Sequence, residues 1–322
     1  MLPPRERLNI CFAHVAYRLQ ERFEARKSGI RSFEVRARDE LDAGIGDADV
    51  LVVSGMWRND LTELAPKLRF IQSISAGTDQ YSREVLKARG IRLASAQGAN
   101  ASAVAEHAMS LILALARRLP EARDNQAKRV WRGMIGDLDR REDELGGKTL
   151  LIVGLGRIGG RLAQLAKAFD MRVRGIRREP AAGKNNADSV HGISELHALL
   201  PEADIVALTC PLTPETQGII NASTLGVMKR SAYLINVARG RCVDEAALIE
   251  AIEGARIAGA GLDCTDEEPL APSSPLWGFA NVLVTPHTAG ETRKYEENVL
   301  DLLMENLGRL WRGETTLKNQ VV

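Results

Sequence analysis

Short apolar runs rich in valine, isoleucine and leucine alternate along the chain with stretches whose apolar residues recur every three or four positions. Runs of the first kind predict buried strands, and the second kind predict amphipathic helices. Their alternation predicts an α/β architecture built on parallel sheets. In the first hundred or so residues the pattern places strands at Leu8–Phe12, Val50–Val53, Arg69–Ile74 and Ile91–Ala94, with a weaker one at Phe33–Arg36. A long helix is predicted from Ala103 to Leu119, where Val104, Ala108, Leu111, Leu115 and Leu119 share a face. Pro120 is expected to close it. The stretch Glu121–Leu145 is charged and weakly periodic and reads as a surface arm. After the turn signal Gly146-Gly147-Lys148, strands are predicted at Thr149–Val153, Arg172–Ile176, Asp204–Thr209, Ala232–Val237, Ile257–Leu262 and Val282–Thr285. A further helical pattern runs from Thr292 to Trp311.

One strand-to-helix junction carries chemistry. Thr149-Leu-Leu-Ile-Val leads into Gly154-Leu-Gly156-Arg157-Ile158-Gly159, and Ile158, Leu162, Leu165, Ala166 and Phe169 then repeat on one helical face. Strand, glycine loop and helix in that order predict a dinucleotide site. Gly154 makes the turn, Gly156 lets a pyrophosphate approach the backbone, and Gly159 lets the helix pack on the strand. At the end of the next strand an acidic residue would hold a ribose. Here stand Arg177 and Arg178, followed by Glu179. A guanidinium at that place suits a 2′-phosphate, which predicts NADPH as the preferred coenzyme with NADH left open. The alternative is a pair of solvated arginines with Glu179 on the ribose.

Composition narrows the classes. The 322 residues suggest about two domains. Lys plus Arg number 43 and Asp plus Glu 42, a balance that speaks against a nucleic-acid or membrane-surface binder. The four cysteines, Cys11, Cys210, Cys242 and Cys264, form no C-x-x-C pair, so neither a disulfide framework nor a metal site is expected. No signal-peptide pattern opens the chain and no apolar run reaches membrane-spanning length. The expected location is cytoplasmic.

The ordered motifs resemble the D-isomer-specific 2-hydroxyacid dehydrogenases, of the glyoxylate and hydroxypyruvate reductase kind. They are the glycine loop, Cys210-Pro-Leu-Thr-Pro-Glu-Thr-Gln-Gly218, Leu234-Ile-Asn-Val-Ala-Arg239-Gly240, Gly261-Leu-Asp263, Asp266-Glu-Glu268-Pro-Leu270 and Pro286-His287-Thr-Ala-Gly290, preceded by Ser75-Ala-Gly77-Thr-Asp79 and Val104-Ala-Glu-His107. The resemblance spans nearly the whole chain. It implies two doubly wound domains: a flavodoxin-like substrate-binding domain from 1–101 and 292–322, and a Rossmann coenzyme domain over 102–291. It also implies a homodimer joined through the coenzyme domains, with the helix from Ala103 and the arm after Pro120 as dimer elements.

Arg239 and His287 each follow a predicted strand, where the C-terminal edge of an open α/β sheet meets its ligand. An arginine fork can hold the carboxylate of a 2-oxo acid and polarise its carbonyl. A histidine can deliver a proton to the ketone oxygen near neutral pH. Glu268 is read as the carboxylate that orients the imidazole, while Asp266 and Glu267 are read as solvated loop charges. A glutamine replaces this glutamate in related formate dehydrogenases, so Glu268 speaks against formate as substrate.

The resemblance places Arg157, Ile158, Cys210, Pro211, Val237, Ala238, Asp263, Ala289 and Gly290 at the coenzyme, with Asp263 on the nicotinamide carboxamide. The other reading of Asp263 is a turn or cap residue. Cys210 is read as packing, not as a nucleophile. Ser75, Ala76 and Gly77 offer backbone amides to the substrate. Met56 and Trp57 are candidate covers for its side chain, and Arg58 for a second acid group, against the alternative of a packed tryptophan in a solvent loop. His107 is read as structural or interfacial. Cys264-Thr265 departs from the aliphatic–aromatic pair common in relatives. The expected reaction is reduction of a small 2-oxo acid to the D-2-hydroxy acid. Its rivals are a non-catalytic, dinucleotide-sensing corepressor-like scaffold and a related dehydrogenase with another substrate, such as phosphite.

Overall fold

The computed structural model describes residues 2–322. The chain forms two compact units, one of residues up to Asn100 together with Glu291–Val322, the other Ala101–Gly290. Each is built on one wholly parallel sheet.

In the first unit the strands are β1 (Asn9–Ala13), β2 (Arg31–Val35), β3 (Val50–Val53), β4 (Phe70–Ser73) and β5 (Arg92–Ala94), in the order β2-β1-β3-β4-β5. This is the flavodoxin-like order. Ile10 lies opposite Val50, and Val50 opposite Phe70. Strands β3 and β4 are buried throughout, as a parallel sheet covered on both faces requires. The C-terminal helix Tyr295–Trp311 lays Val299, Leu300, Leu303 and Leu307 on a core with Ile10, Val52 and Phe70. A fully buried amide pair fixes its seat: Asn306 Nδ2 donates to Gln72 Oε1 at 3.0 Å, and Asn306 Oδ1 accepts the Lys318 N–H at 2.8 Å. Buried amides are tolerated because each is answered.

The second unit holds β6 (Thr149–Val153), β7 (Arg172–Ile176), β8 (Ser189–His191), β9 (Ile205–Leu208), β10 (Tyr233–Asn236), β11 (Gly259–Leu262) and β12 (Val282–Val284). Their order is β12-β11-β10-β9-β6-β7-β8, with the direction of winding reversing between β6 and β9. That is the Rossmann order, and the reversal is where dinucleotides bind. The six-strand expectation falls one short: β8 is a three-residue, half-buried strand without a strong apolar run.

The long helix also differs from expectation. It spans Ala101–Ala116 and ends before Arg118, whose φ of 50° breaks it. Pro120 closes nothing; it opens a second helix, Leu119–Lys128, where its missing N–H costs no bond. The arm is therefore helical at its start and irregular after Arg129, save for one short turn at Leu138–Arg140.

Both sheets share a device at the edge where strands begin. An aspartate just ahead of one strand accepts the N–H of the residue that opens its neighbour or follows that opening. Asp49 Oδ2 takes Asn9 N–H at 2.9 Å, Asp188 Oδ2 takes Val173 N–H at 2.8 Å, and Asp204 Oδ2 takes Thr149 N–H at 2.8 Å. A buried alanine precedes each one, Ala48, Ala187 and Ala203.

Candidate active site

The seven-stranded sheet delivers its functional side chains from the C-terminal ends of its strands. Beyond β6, Gly154 has a φ of +105°, and a Cβ there would strike the backbone nitrogen of Cys210 at the end of β9. Glycine alone fits. Gly156 caps the helix Arg157–Ala168, and a Cβ on it would meet nothing within 4 Å. Open space over the glycine, at a helix N-terminus whose cap has no side chain, fits a pyrophosphate. Arg157 is exposed and Ile158 half-buried. Beyond β7, Arg177 is half-buried and its Nη1 donates to Gly183 O at 3.0 Å, while Arg178 and Glu179 are exposed. Asn185 folds back and donates to Leu155 O at 3.1 Å. Cys210 is buried. The neighbouring Cys242 sulfur, then burial, push its thiol up, which leaves it inert as a nucleophile. Pro211 beside it is exposed.

Beyond β10, Asn236 Oδ1 accepts the Ala238 N–H at 3.1 Å and its Nδ2 donates to Arg239 O at 2.9 Å, which turns the chain sharply. Val237 and Ala238 are buried. Arg239 is half-buried with Nη1 on Ala238 O at 2.7 Å. Among the described residues no carboxylate pairs with its guanidinium.

Beyond β11 and β12 the predicted pair is formed: His287 Nδ1 lies 2.8 Å from Glu268 Oε2. Thr265 N–H holds the other oxygen, Oε1, at 3.2 Å. Thr265 is one of the two residues that depart from the family pattern, and its backbone performs this task whatever its side chain. His287 has a φ of 54°, in the left-handed region, and both groups stay partly exposed at 45% and 40%. Its Nε2 has no partner among the described residues.

Asp263 is where the structure adds most. It is 2% exposed and clamps the segment that carries His287. Oδ1 accepts Thr285 Oγ1 at 2.6 Å and Thr288 N–H at 3.0 Å, and Oδ2 accepts Ala289 N–H at 3.0 Å. A carboxylate offers about four lone-pair sites, so Oδ2 keeps one for a further donor. Asp263 is thus first a loop clamp, the turn role read beside the carboxamide role. Ala289 is buried and Gly290 half-buried at the end of this segment. His107, read as structural or interfacial, turns out to reach the same cluster. Its Nε2 lies 2.9 Å from Thr285 Oγ1 and 3.5 Å from Asp263 Oδ1. No periodicity or spacing links residues 178 positions apart.

In the first unit, Ser75 follows β4 half-buried, with Ala76 exposed and Gly77 half-buried. Ser75 Oγ lies 2.6 Å from Ser54 Oγ, to which Gln80 Nε2 donates at 3.2 Å. Trp57 is not an open cover. It is buried in this unit's core, stacked on Tyr81 at 5.4 Å, with its indole N–H on Asn59 at 3.1 Å. Met56 beside it is also buried. Arg58 is committed as well, to Asp42 at 3.0 Å and Asp60 at 3.2 Å.

Among the described residues no group of three metal-ligating side chains exists, and no helix is long and apolar enough to cross a membrane. Residues 109–289 match the profile of the D-isomer specific 2-hydroxyacid dehydrogenase, NAD binding domain. The chain belongs to the D-isomer-specific 2-hydroxyacid dehydrogenases. Its second unit is the NAD-binding Rossmann domain of an oxidoreductase. A glyoxylate reductase of Korarchaeum cryptofilum is 36% identical over 285 residues, which cover 86% of this chain and 83% of the relative. A D-3-phosphoglycerate dehydrogenase of Methanocaldococcus jannaschii is also 36% identical and covers 86% of this chain, but the match spans only 52% of that longer protein. The crystal structure of a D-isomer specific 2-hydroxyacid dehydrogenase family protein from Aeromonas salmonicida superposes with a TM-score of 0.86 at 28% identity. It covers 98% of this chain and 99% of that one.

Proposed function

We propose that the chain reduces a small 2-oxo acid of the glyoxylate or hydroxypyruvate type to the D-2-hydroxy acid, with NADPH preferred over NADH. The observation that carries this reading is the His287–Glu268 pair at 2.8 Å, delivered by the same sheet edge as Arg239, which has no carboxylate partner among the described residues. The glycine loop and the amides that open the helix Arg157–Ala168 hold the dinucleotide, with Arg177 and Arg178 toward the 2′-phosphate. A bound nicotinamide supplies the hydride to the keto carbon. Arg239 takes the substrate carboxylate as a bidentate partner and leans on the carbonyl. Glu268 fixes the ring through Nδ1, which leaves Nε2 to give its proton to the carbonyl oxygen as that oxygen becomes a hydroxyl. In the first unit the backbone amides of Ser75, Ala76 and Gly77 are the first candidates for substrate contact, ahead of the packed Trp57 and the ion-paired Arg58.

The arm supports a homodimer reading. Trp131, Met134 and Leu138 are exposed at 97%, 103% and 74%, with Val130 and Leu119 also open. Such a group of large apolar side chains marks a protein contact, and a second copy is the partner assigned.

The test follows absorbance of the reduced coenzyme, with NADPH and NADH in turn, against 2-oxo acids from glyoxylate to phenylpyruvate. Rapid NADPH oxidation with a small acid is expected. Coenzyme binding without turnover of any acid overturns the reductase reading in favour of a sensing scaffold. A tenfold preference for NADH overturns the role of Arg177 alone.

A further inference from the structure

We infer that His107 is a positioning residue for the acid–base histidine, acting through the Thr285 hydroxyl on the Asp263 clamp. The inference rests on the reading of His287 as the proton donor.

The hydrogen bonds allow one assignment. The Thr285 hydroxyl has a single proton. At 2.6 Å from Asp263 Oδ1, an oxygen that also accepts the Thr288 N–H, it donates to that oxygen. Its oxygen is then an acceptor, and His107 Nε2 at 2.9 Å must carry the hydrogen. The other tautomer would aim a nitrogen lone pair at the hydroxyl oxygen, with the Asp263 carboxylate 3.5 Å away. His107 therefore donates, Thr285 relays, and Asp263 receives.

Asp263 passes the constraint on. It holds Thr285 on one side of His287 and Thr288 and Ala289 on the other, so one carboxylate pins both flanks of the ring's backbone. The left-handed φ of 54° at His287 is unfavourable for a histidine on its own and is held by these bonds.

The origin of the chain is rigid. His107 stands on the helix Ala101–Ala116, whose Val104, Ala108, Leu111 and Ile112 are buried. A Cβ on Gly261 would lie 3.0 Å from Leu111 Cβ, so the glycine lets this helix close on β11. One turn back from Leu111 along the helix and two residues on from Gly261 along the strand stand His107 and Asp263. A site held by packed elements keeps its geometry better than one held by loops.

The test uses the full-length protein once turnover of a 2-oxo acid is established. His107→Leu is expected to lower kcat about 10- to 100-fold, with substrate KM and coenzyme Kd moved less than about threefold, because a misplaced acid costs rate and not binding. His107→Gln, which returns an N–H at that reach, should recover most of the loss. Thr285→Val should reproduce the defect and Thr285→Ser should not. The double variant His107→Leu/Thr285→Val should be no worse than the poorer single one. A loss that glutamine does not recover, a loss confined to KM, or additive losses would overturn the inference. If His107→Leu fails to fold, the Thr285 pair decides. Nitrogen-15 chemical shifts should show His107 protonated on Nε2, and a neutral Nδ1–H ring overturns the relay by itself. If the wild-type protein turns over no 2-oxo acid, the reductase reading falls, and the ring's tautomer still judges the cluster.

Discussion

The two parallel sheets end in different chemistry. Past its C-terminal edge the seven-stranded sheet carries Arg239, Glu268 and His287, with a glycine loop and a buried carboxylate that pins the histidine's flanks. The corresponding edge of the five-stranded sheet carries Ser54, Ser75 and Gln80, neutral groups bonded to one another, while its arginine Arg58 is paired with Asp42 and Asp60. The fold is alike and the residues are not, so architecture sets where ligands are met while side chains decide what is done to them. In the proposed reaction one edge moves a proton and answers a charge. In the same proposal the other lets backbone amides come close.

That contrast can be broken by substitution. His287→Asn should lower kcat by about 10²- to 10⁴-fold while coenzyme binding, read by fluorescence titration, holds. Unchanged kcat would remove the charged edge from the chemistry. Arg239→Ala should come next, with kcat/KM reduced by about 2–5 kcal/mol, the cost of stranding a carboxylate without its partner. Loss of coenzyme affinity instead would make Arg239 a coenzyme residue. Ser75→Ala should cost only about 0.5–1.5 kcal/mol in stability by denaturant unfolding, since a neutral bond is lost. A fall in kcat as large as that for His287→Asn would give both edges the same rank.

The smallest effect belongs to the opposite edge. Burial pushes the Asp204 carboxyl up, but the Lys229 ammonium at 2.7 Å and the Thr149 N–H outweigh it and hold it below the usual aspartate range. A depressed folded value stabilises above the unfolded one and is lost as pH falls through the folded one. Lys229→Met should therefore move the acid-unfolding midpoint slightly upward in pH, with little effect near neutrality on kcat. A downward shift would show the ion pair to be a net cost.

Much of this was legible in the sequence because its signals are local. Ten of the observed strands fall on the predicted apolar runs, and β2 lies within one or two residues of the weaker run at Phe33–Arg36. The glycine loop was marked by its strand–loop–helix order, Arg239 and His287 by strand ends together with the family resemblance, and Glu268 by the resemblance. What escaped depends on contacts across the chain. β8 is short and pairs along one side only. The long helix breaks because Arg118 turns left-handed, ahead of the proline that looked responsible. Trp57 is buried by Tyr81 and its neighbours, which no loop sequence declares. His107 acquires its meaning from Thr285 and Asp263, and Asn306 from Gln72.

The Ala–Asp pairs that open β3, β8 and β9 bear on how the chain avoids folding errors. Parallel strands must find partners far away in sequence, and a slip of one residue turns every side chain to the wrong face. Where a strand is buried on both faces, as β3, β6 and β9 are, such a slip forfeits less burial than it would in a half-solvated sheet, so grease alone discriminates poorly. A carboxylate that must meet one particular N–H does discriminate. Moved by one residue, Asp49, Asp188 or Asp204 would face the wrong part of the peptide and lose its N–H partner. The staples act as proofreading marks that favour one alignment of each strand pair over its one-residue slips.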